Sequence, residues 1–269
     1  MTPSIPLAPA PGDVTDPHRF GAAQAHLANP YERATDDYHA ARPPYPDAAI
    51  AQVMRQATAV GGRHPRIVDV GAGTGLMTLP LAAAGACVTA VEPAPAMAEQ
   101  LAATAPDVPI IRATGEDTGL PESSVDLVVY AQSWHWMDAQ AAAAEAHRIL
   151  VEGGRVAVVF NQLDVRVAWV KRLTRIMRSG DVHWPNRPPR LGPGFTAPSL
   201  RMIPWVQHLS PEGIATLGST RSSYLRASDA GKAHMRANLD WYLADYLHIG
   251  PDRVVELPYY TLVWSATRR

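Results

Sequence analysis

Cysteine, lysine and excess charge of either sign are scarce in this sequence of 269 residues. Because Cys87 is the single cysteine, an intramolecular disulfide bond and a cysteine-based zinc cluster are both excluded. The 24 Lys and Arg residues nearly balance the 25 Asp and Glu residues, and the formal net charge of −1 offers no global field for a polyanion. A dedicated nucleic-acid-binding protein is therefore disfavoured.

Long apolar runs are also missing, since none approaches the roughly 18 consecutive positions that a membrane span requires. The N-terminal residues lack the cationic start, apolar run and cleavage site of a signal peptide. We therefore expect a cytoplasmic protein with no membrane partner. Residues 1–16 include four prolines and little to bury, which predicts a disordered tail.

The middle of the chain alternates short apolar segments with stretches long enough for helices. The apolar segments are near-continuous, rich in β-branched residues, and lie at residues 66–70, 87–91, 108–111, 125–130 and 155–160. Strands of this kind are buried on both faces, and crossover helices between them indicate a doubly wound, mostly parallel α/β sheet.

The same pattern divides the chain into parts. Residues 17–160 are expected to form N-terminal helices and a cofactor-binding core, because the strand and helix alternation ends there. Residues 161–250 break the alternation and are expected to form a helical lid or substrate-binding insertion that contains one strand. Residues 251–269 are rich in strand-forming residues and predict a C-terminal strand that completes the sheet.

A glycine-rich loop gives the clearest functional signal. The segment Asp69-Val70-Gly71-Ala72-Gly73-Thr74-Gly75 follows a predicted strand and precedes a predicted helix. Glycines at alternate positions allow a tight turn and let a ligand lie against the backbone. Leu76 replaces the Gly or Ala that a nicotinamide or flavin fingerprint requires, and the loop contains no lysine for a Walker phosphate loop.

Glu92 closes the second predicted strand, in the segment VTAVEP. In an open parallel sheet, ligands bind at the carboxyl ends of the strands, beside the point where the strand order reverses. Glu92 is therefore expected to face the same crevice as the glycine loop, where its carboxylate accepts hydrogen bonds from the two hydroxyls of a ribose.

These residues resemble the class I S-adenosylmethionine-dependent methyltransferases. The resemblance covers residues 35–160 and includes VDVGAGTG, VEP and RATGEDTGLPESSVDLVV. YHAARPPYP, YAQSWHWMD and ELPYYTLVW are similar to elements of the small-molecule branch that contains trans-aconitate methyltransferases. The resemblance implies a Rossmann-like sheet of seven strands with a helical lid, and S-adenosyl-L-methionine as the cofactor.

The resemblance also implies a set of cofactor-binding residues. The loop would approach the methionine part, Glu92 would bind the ribose, and Met97 with residues 114–116 would surround the adenine. Asp69 has two open roles, ligand contact or orientation of the loop. The full set is Tyr38, Arg42, Asp69, Gly71, Ala72, Gly73, Gly75, Glu92, Pro93, Met97, Thr114, Gly115, Glu116 and Gln132.

The methyl acceptor is expected beside the segment that contains His135. His135 and Tyr130 are the candidate catalytic bases if the acceptor must lose a proton, although a packed histidine that shapes the pocket floor is an equal alternative. No metal site is expected. The aromatic residues expected to line an acceptor pocket, with core packing as their alternative, are Trp134, Trp136, Trp169, Tyr224 and Tyr259.

The sequence thus predicts a methyltransferase that acts on O, N or C of a small molecule, as a monomer or homodimer. An RNA or protein methyltransferase and a non-catalytic S-adenosylmethionine-binding protein are the alternatives. The RNA alternative depends on one basic helix face and the loop after it, for which a solvated surface is the simpler explanation. Its basic residues are Lys171, Arg172, Arg175, Arg178, Arg187 and Arg190.

Overall fold

The computed structural model describes residues 42–57, 63–179 and 183–269. The expected tail, the expected helices before residue 42, and Tyr38 lie outside these residues. No helix in these three ranges is long and apolar enough to cross a lipid bilayer. The helices are α1 (Asp47–Met54), α2 (Thr78–Ala83), α3 (Pro95–Thr104), α4 (Ala139–Ile149), α5 (Ala168–Ile176), α6 (Pro211–Ser219), α7 (Ser222–Leu225) and α8 (Asp229–Asp240). A 3-10 turn spans Trp134–Trp136, and a π-helical turn spans Trp241–Tyr246.

The strands form one seven-stranded sheet in the order β3-β2-β1-β4-β5-β7-β6. They are β1 (Arg66–Val70), β2 (Cys87–Val91), β3 (Ile110–Ile111), β4 (Val125–Ala131), β5 (Leu150–Leu163), β6 (Ser199–Leu209) and β7 (Val255–Thr267). Strands β1 to β5 pair in parallel, whereas β7 pairs antiparallel with both β5 and β6. The expected mostly parallel, seven-stranded α/β sheet is confirmed.

The central strands are buried on both faces, which explains their near-continuous apolar sequences. In β4, the first six residues are buried, and in β1 only Arg66 is partly exposed. Strands β1 and β2 have the bounds that the sequence predicts. Strand β3 contains only two residues, while β5 extends beyond the predicted 155–160 at both ends.

Residues 161–250 contribute both to the common sheet and to a second apolar cluster. Strand β6 pairs with β7 along its whole length and forms one edge of the sheet. Helix α6 has a capped first turn, because Ser210 Oγ accepts a hydrogen bond from the Gly213 N–H and Pro211 occupies the first helical position. The second cluster contains buried residues of α5, α6, α8 and β7, including Leu173, Leu217 and Leu239.

A buried carboxylate anchors the start of β1 to β4. The Asp126 side chain is 1% exposed and accepts two hydrogen bonds of 2.6 Å from the Arg63 guanidinium. It also accepts hydrogen bonds from the Arg66 backbone N–H at 2.8 Å and from Arg66 Nη2 at 3.0 Å. Burial alone would raise the pKa of Asp126, but the hydrogen bonds from Arg63 and Arg66 hold it below its ordinary value.

We predict that Asp126→Asn lowers the free energy of unfolding at pH 7 by about 1–3 kcal/mol, because hydrogen bonds from the two guanidiniums to a charged acceptor are lost. Since folding depresses the pKa, the native carboxylate stabilises the protein above its unfolded pKa of about 4 and loses this effect as the pH falls further. Urea unfolding at pH 7 and pH 3 should therefore show a smaller difference between the proteins at pH 3. Asp107→Asn, a matched change at an exposed position, should cause little change, and a pH-independent difference for Asp126→Asn would contradict the prediction.

Candidate functional site

The glycine loop connects β1 to α2 across the carboxyl end of β2. The backbone N–H groups of Gly71 and Ala72 donate to the Val91 carbonyl at 2.8 and 3.1 Å. Gly71, Gly73 and Gly75 have φ angles of +69°, +59° and +93°, a region that residues with a Cβ rarely adopt. The loop conformation therefore requires glycine at the three positions that the sequence spaces by two.

The surroundings of these glycines differ. A Cβ on Gly71 would lie 2.5 Å from Ser133 Cβ, and one on Gly75 would lie 2.4 Å from Leu101 Cδ1. A Cβ on Gly73 would meet only Met97 Sδ, at 3.5 Å. Gly73 lines the large cavity described below, but Gly75 does not. Gly75 therefore packs closely on α3 and does not line the cavity.

Glu92 links this loop to the start of α3. Its side chain is 6% exposed, and its two carboxylate oxygens accept hydrogen bonds of 2.8 Å from the N–H groups of Gly73 and Ala94. Burial raises the pKa of Glu92, although these two N–H groups act in the opposite direction. Each carboxylate oxygen keeps a further lone pair for a hydroxyl donor on the cavity side.

Asp69 lies behind the loop and outside the cavity lining. It is fully buried, and its Oδ2 accepts a 2.6 Å hydrogen bond from the Thr78 hydroxyl at the start of α2. Burial raises the pKa of Asp69 to about 7, with a further contribution from the negative charge of Glu92, while the Thr78 bond lowers it. Of its two expected roles, the position of Asp69 fits orientation of the loop.

The segment after β3 forms the next part of the cavity wall, with Thr114, Gly115 and Glu116. A Cβ on Gly115 would lie 2.5 Å from Met137 Sδ, so glycine allows the close approach of the turn after β4. Glu116 Oε1 accepts a 2.9 Å hydrogen bond from the Asp138 N–H. The adenine-side residues expected from the sequence are therefore held against the start of α4.

The turn after β4 supplies another part of the cavity wall. Gln132 has a φ angle of +56°, its backbone N–H donates to the Val159 carbonyl, and its Nε2 donates to the Asn161 carbonyl at 3.0 Å. Ser133 Oγ donates to the Val70 carbonyl at 2.5 Å, which joins this turn to β1. His135 and Trp136 follow in the 3-10 turn, with ring centroids 5.2 Å apart.

These walls enclose a cavity of about 400 Å³. It brings together most of the residues that the sequence predicts. The predicted residues that line it are Arg42, Gly71, Ala72, Gly73, Glu92, Pro93, Met97, Thr114, Gly115, Glu116, Gln132, His135 and Trp136. These residues are spread over positions 42 to 136 in the sequence. They come together because the ends of several parallel strands meet at one edge of the sheet.

The cavity lining also includes residues that the sequence-based set lacks, among them Tyr45, Asn161 and Arg221. Tyr45 belongs to the ARPPYP segment, which does carry a sequence signal, but Asn161 and Arg221 lie outside every recognisable motif. Arg221 is 7% exposed. Burial raises the pKa of Tyr259 to about 12, and the positive charges of Arg221 and Arg42 both oppose this rise, so both guanidiniums lie near this buried hydroxyl.

Tyr130 and Trp134 lie in the core instead of the cavity, which corrects their expected roles. Tyr130 is fully buried, its hydroxyl donates to the Ala142 carbonyl at 3.1 Å, and burial raises its pKa far above the ordinary value. It therefore cannot serve as a base for a ligand in the cavity. Trp134 packs edge-on against Tyr130, with ring centroids 4.8 Å apart.

Three further aromatic residues expected at an acceptor pocket also lie elsewhere. Trp169 packs against the second apolar cluster, and its carbonyl accepts a hydrogen bond from the Tyr242 hydroxyl. Tyr224 borders a separate cavity of about 240 Å³ beside α6 and α8. Tyr259 is 2% exposed and stacks on Trp205 at 4.8 Å. Aromatic residues in this part of the chain mainly build its core.

The fold and the cavity define an α/β protein with a ligand-sized cavity at the carboxyl ends of parallel strands. A profile of the methyltransferase domain family matches residues 68–158. An uncharacterised methyltransferase of Mycobacterium tuberculosis is 33% identical over 236 residues, which cover 87% of this chain and 93% of the relative. The chain belongs to the class I S-adenosylmethionine-dependent methyltransferases and is an enzyme of that class.

Other relatives and solved structures agree with this assignment. A methyltransferase-like protein of Schizosaccharomyces pombe is 27% identical over 86% of this chain and 93% of its own length. A candidate type II methyltransferase from Anaeromyxobacter dehalogenans superposes with a TM-score of 0.61 and 26% identity, over 83% of this chain and 97% of that one. A candidate methyltransferase from an antibiotic biosynthesis pathway of Anabaena variabilis shares the fold, with a TM-score of 0.58 and 20% identity over 81% and 96% of the two chains.

The two glycine environments lead to a prediction that separates stability from binding. Gly75→Ala should lower the free energy of unfolding by roughly 2–4 kcal/mol, because a strained φ angle is combined with overlap with Leu101. Gly73→Ala should lower the free energy of unfolding by only about 1–2 kcal/mol, which is the cost of the φ angle. It should, however, weaken binding of S-adenosylhomocysteine more than Gly75→Ala does, because Gly73 lines the cavity. Urea unfolding and calorimetric titration measure the two quantities, and equal stability losses would contradict the assignment.

Proposed function

We propose that this enzyme transfers the methyl group of S-adenosylmethionine to an O, N or C atom of a small molecule bound beside His135 and Trp136. The observation that carries the proposal is one cavity of about 400 Å³ that extends from the glycine loop and Glu92 to His135, Trp136 and Arg221. A volume in the range of about 300–1,000 Å³ is typical of small-molecule sites.

The residues on the loop side suit the proposed cofactor. The Glu92 carboxylate would accept hydrogen bonds from the ribose hydroxyls, and the exposed backbone at Gly73 would approach the methionine part. Met97 would cover one face of the adenine, with residues 114–116 at its edge. Arg42, with Tyr38, would bind the carboxylate end, for which a guanidinium provides paired donors.

When bound, S-adenosylmethionine would supply an activated methyl group on a sulfonium. The protein would then orient the acceptor and exclude water from the site. His135 is half-buried and adjoins the Trp136, Phe160 and His183 rings, at centroid distances of 5.2, 6.1 and 5.4 Å. It would either accept a proton from the acceptor or form the floor of its pocket.

A small acceptor is favoured over RNA by the position of the basic helix α5. The Arg172 guanidinium lies 5.5, 5.2 and 4.4 Å from the ring centroids of Trp241, Tyr242 and Tyr246. Cation–π contacts of this kind hold Arg172 against the protein, which makes it less suited to phosphate binding. The cavity wall contains aromatic and cationic side chains, which favours a small acceptor that binds inside the cavity.

We predict that Glu92→Gln weakens binding of S-adenosylmethionine and S-adenosylhomocysteine about 10- to 100-fold, because hydrogen bonds to a charged acceptor contribute about 1.5–3 kcal/mol. Calorimetric titration measures the dissociation constants, with NADH as a ligand that should not bind. Glu99→Gln provides the same change at an exposed position on α3 and should bind like the original protein. If the unaltered protein does not bind either sulfur nucleoside, the proposed cofactor site is wrong.

His135→Gln distinguishes the two roles of this residue. If His135 is a base, labelled-methyl transfer into acceptors of a metabolite panel should lose about 10²-fold or more in kcat. If it forms the pocket floor, KM for the acceptor should rise with little change in kcat. S-adenosylhomocysteine affinity should not change in either case. His208→Gln on exposed β6 is the control, and unchanged kcat and KM for His135→Gln would contradict both roles.

A further inference from the structure

Asn161 joins three parts of the cavity wall that are far apart in sequence. It lies on β5, is 4% exposed, and is itself part of the lining. Its Nδ2 donates to the carbonyl oxygens of Pro43 and Pro44, at 3.3 and 3.1 Å. Its Oδ1 accepts a 2.6 Å hydrogen bond from the Thr261 hydroxyl, and its backbone carbonyl accepts a hydrogen bond from Gln132.

The segment held by Nδ2 is residues 42–45, which we call the Arg42–Tyr45 strap. Three of its members, Arg42, Pro43 and Tyr45, line the cavity. Pro43 and Pro44 lack backbone N–H groups, so neither residue can donate to a neighbouring strand as an ordinary edge segment does. Pro43 is buried, so its carbonyl oxygen needs a donor, and the Asn161 amide donates to it and to the carbonyl oxygen of the exposed Pro44.

The hydrogen bonds of Asn161 fix the orientation of its amide. Thr261 Oγ1 donates to Oδ1, and the two strap carbonyls accept from Nδ2, so the opposite orientation would place Oδ1 against two carbonyl oxygens. The two N–H bonds of the amide match two acceptors in the protein. Asn161 therefore has little capacity left to donate to a ligand, although it borders the cavity.

We infer that Asn161 is a positioning residue that fixes the Arg42–Tyr45 strap, and with it Arg42 and Tyr45, as one wall of the methyl-transfer site. Thr261 acts one step further away, because its hydroxyl orients the amide. The inference rests on the proposed function for its effect on the cofactor, since Arg42 is the residue placed at the carboxylate end. The anchoring of the strap itself is measurable without any ligand.

The test compares Asn161→Asp with the original protein. The carboxylate still accepts from Thr261 but has no N–H for the strap and repels the two carbonyl oxygens. Hydrogen–deuterium exchange of a peptide covering residues 42–50, without ligand, should become about tenfold faster at Tyr45 and in the first turn of α1, which supply its backbone N–H groups. The dissociation constant of S-adenosylhomocysteine should rise about tenfold or more. Asn238→Asp on α8 introduces the same charge outside the cavity lining and should change neither quantity.

Thr261→Val and Thr261→Ser provide a second test if Asn161→Asp does not fold. Valine matches the shape of threonine without the hydroxyl, so exchange in the strap should become faster, whereas serine retains the hydroxyl and should restore the original rate. Unchanged exchange in the strap for Asn161→Asp and Thr261→Val would overturn the inference, as would faster exchange with unchanged affinity. Absence of binding by the original protein would refute the proposed function, and the ligand-free exchange rates would still decide whether Asn161 anchors the strap.

Discussion

The Glu92 carboxylate fixes the relative positions of β2, the glycine loop and α3. Its two oxygens accept from the N–H groups of Gly73 in the loop and Ala94 at the start of α3. The carboxylate is almost fully buried, so loss of either donor would leave a poorly solvated charge. This cost holds both N–H groups in place against the carboxylate. The loop must adopt positive φ angles to present its N–H groups in this way, and this requirement explains the glycines.

A second buried carboxylate supports the same loop from behind. Asp69 binds the Thr78 hydroxyl, and its pKa of about 7 reflects burial together with the nearby negative charge of Glu92. The negative charges of the two acids thus repel each other across the glycine loop. Glu92 lines the cavity, while Asp69 lies on the helix side of the loop. The two acids that flank the glycines in sequence therefore have physically different roles.

The sequence predicts the parallel half of the sheet well because its strands are buried on both faces and their apolar runs are unambiguous. The bounds of β1 and β2 follow directly from RIVDV and CVTAV. Side-chain direction is harder to predict where both faces are buried. Tyr130 and Trp134 belong to the segment that also supplies the cavity wall, yet their rings enter the core beneath it, whereas His135 and Trp136 face the cavity.

The acceptor side was only partly predictable, because it combines residues from parts of the chain with no shared motif. Trp169 and Tyr259 are aromatic, as an acceptor pocket would require, but both side chains pack in or against the second apolar cluster. Asn161 and Arg221 reach the cavity only through tertiary structure. No local spacing relates Asn161 to Pro43, which precedes it by 118 residues.

The antiparallel strand β7 explains how Asn161 reaches this position. The pairing of β4 with β5 ends at Val159, but the pairing of β5 with β7 continues to Leu163. Residues 161–163 therefore extend past the end of their parallel neighbour, and without β7 their backbone groups would lack strand partners. Thr261, directly opposite Asn161 in this register, also supplies the hydroxyl that orients its amide. A strand near residue 260 thus supports the wall of a site whose glycine loop and Glu92 lie before residue 100.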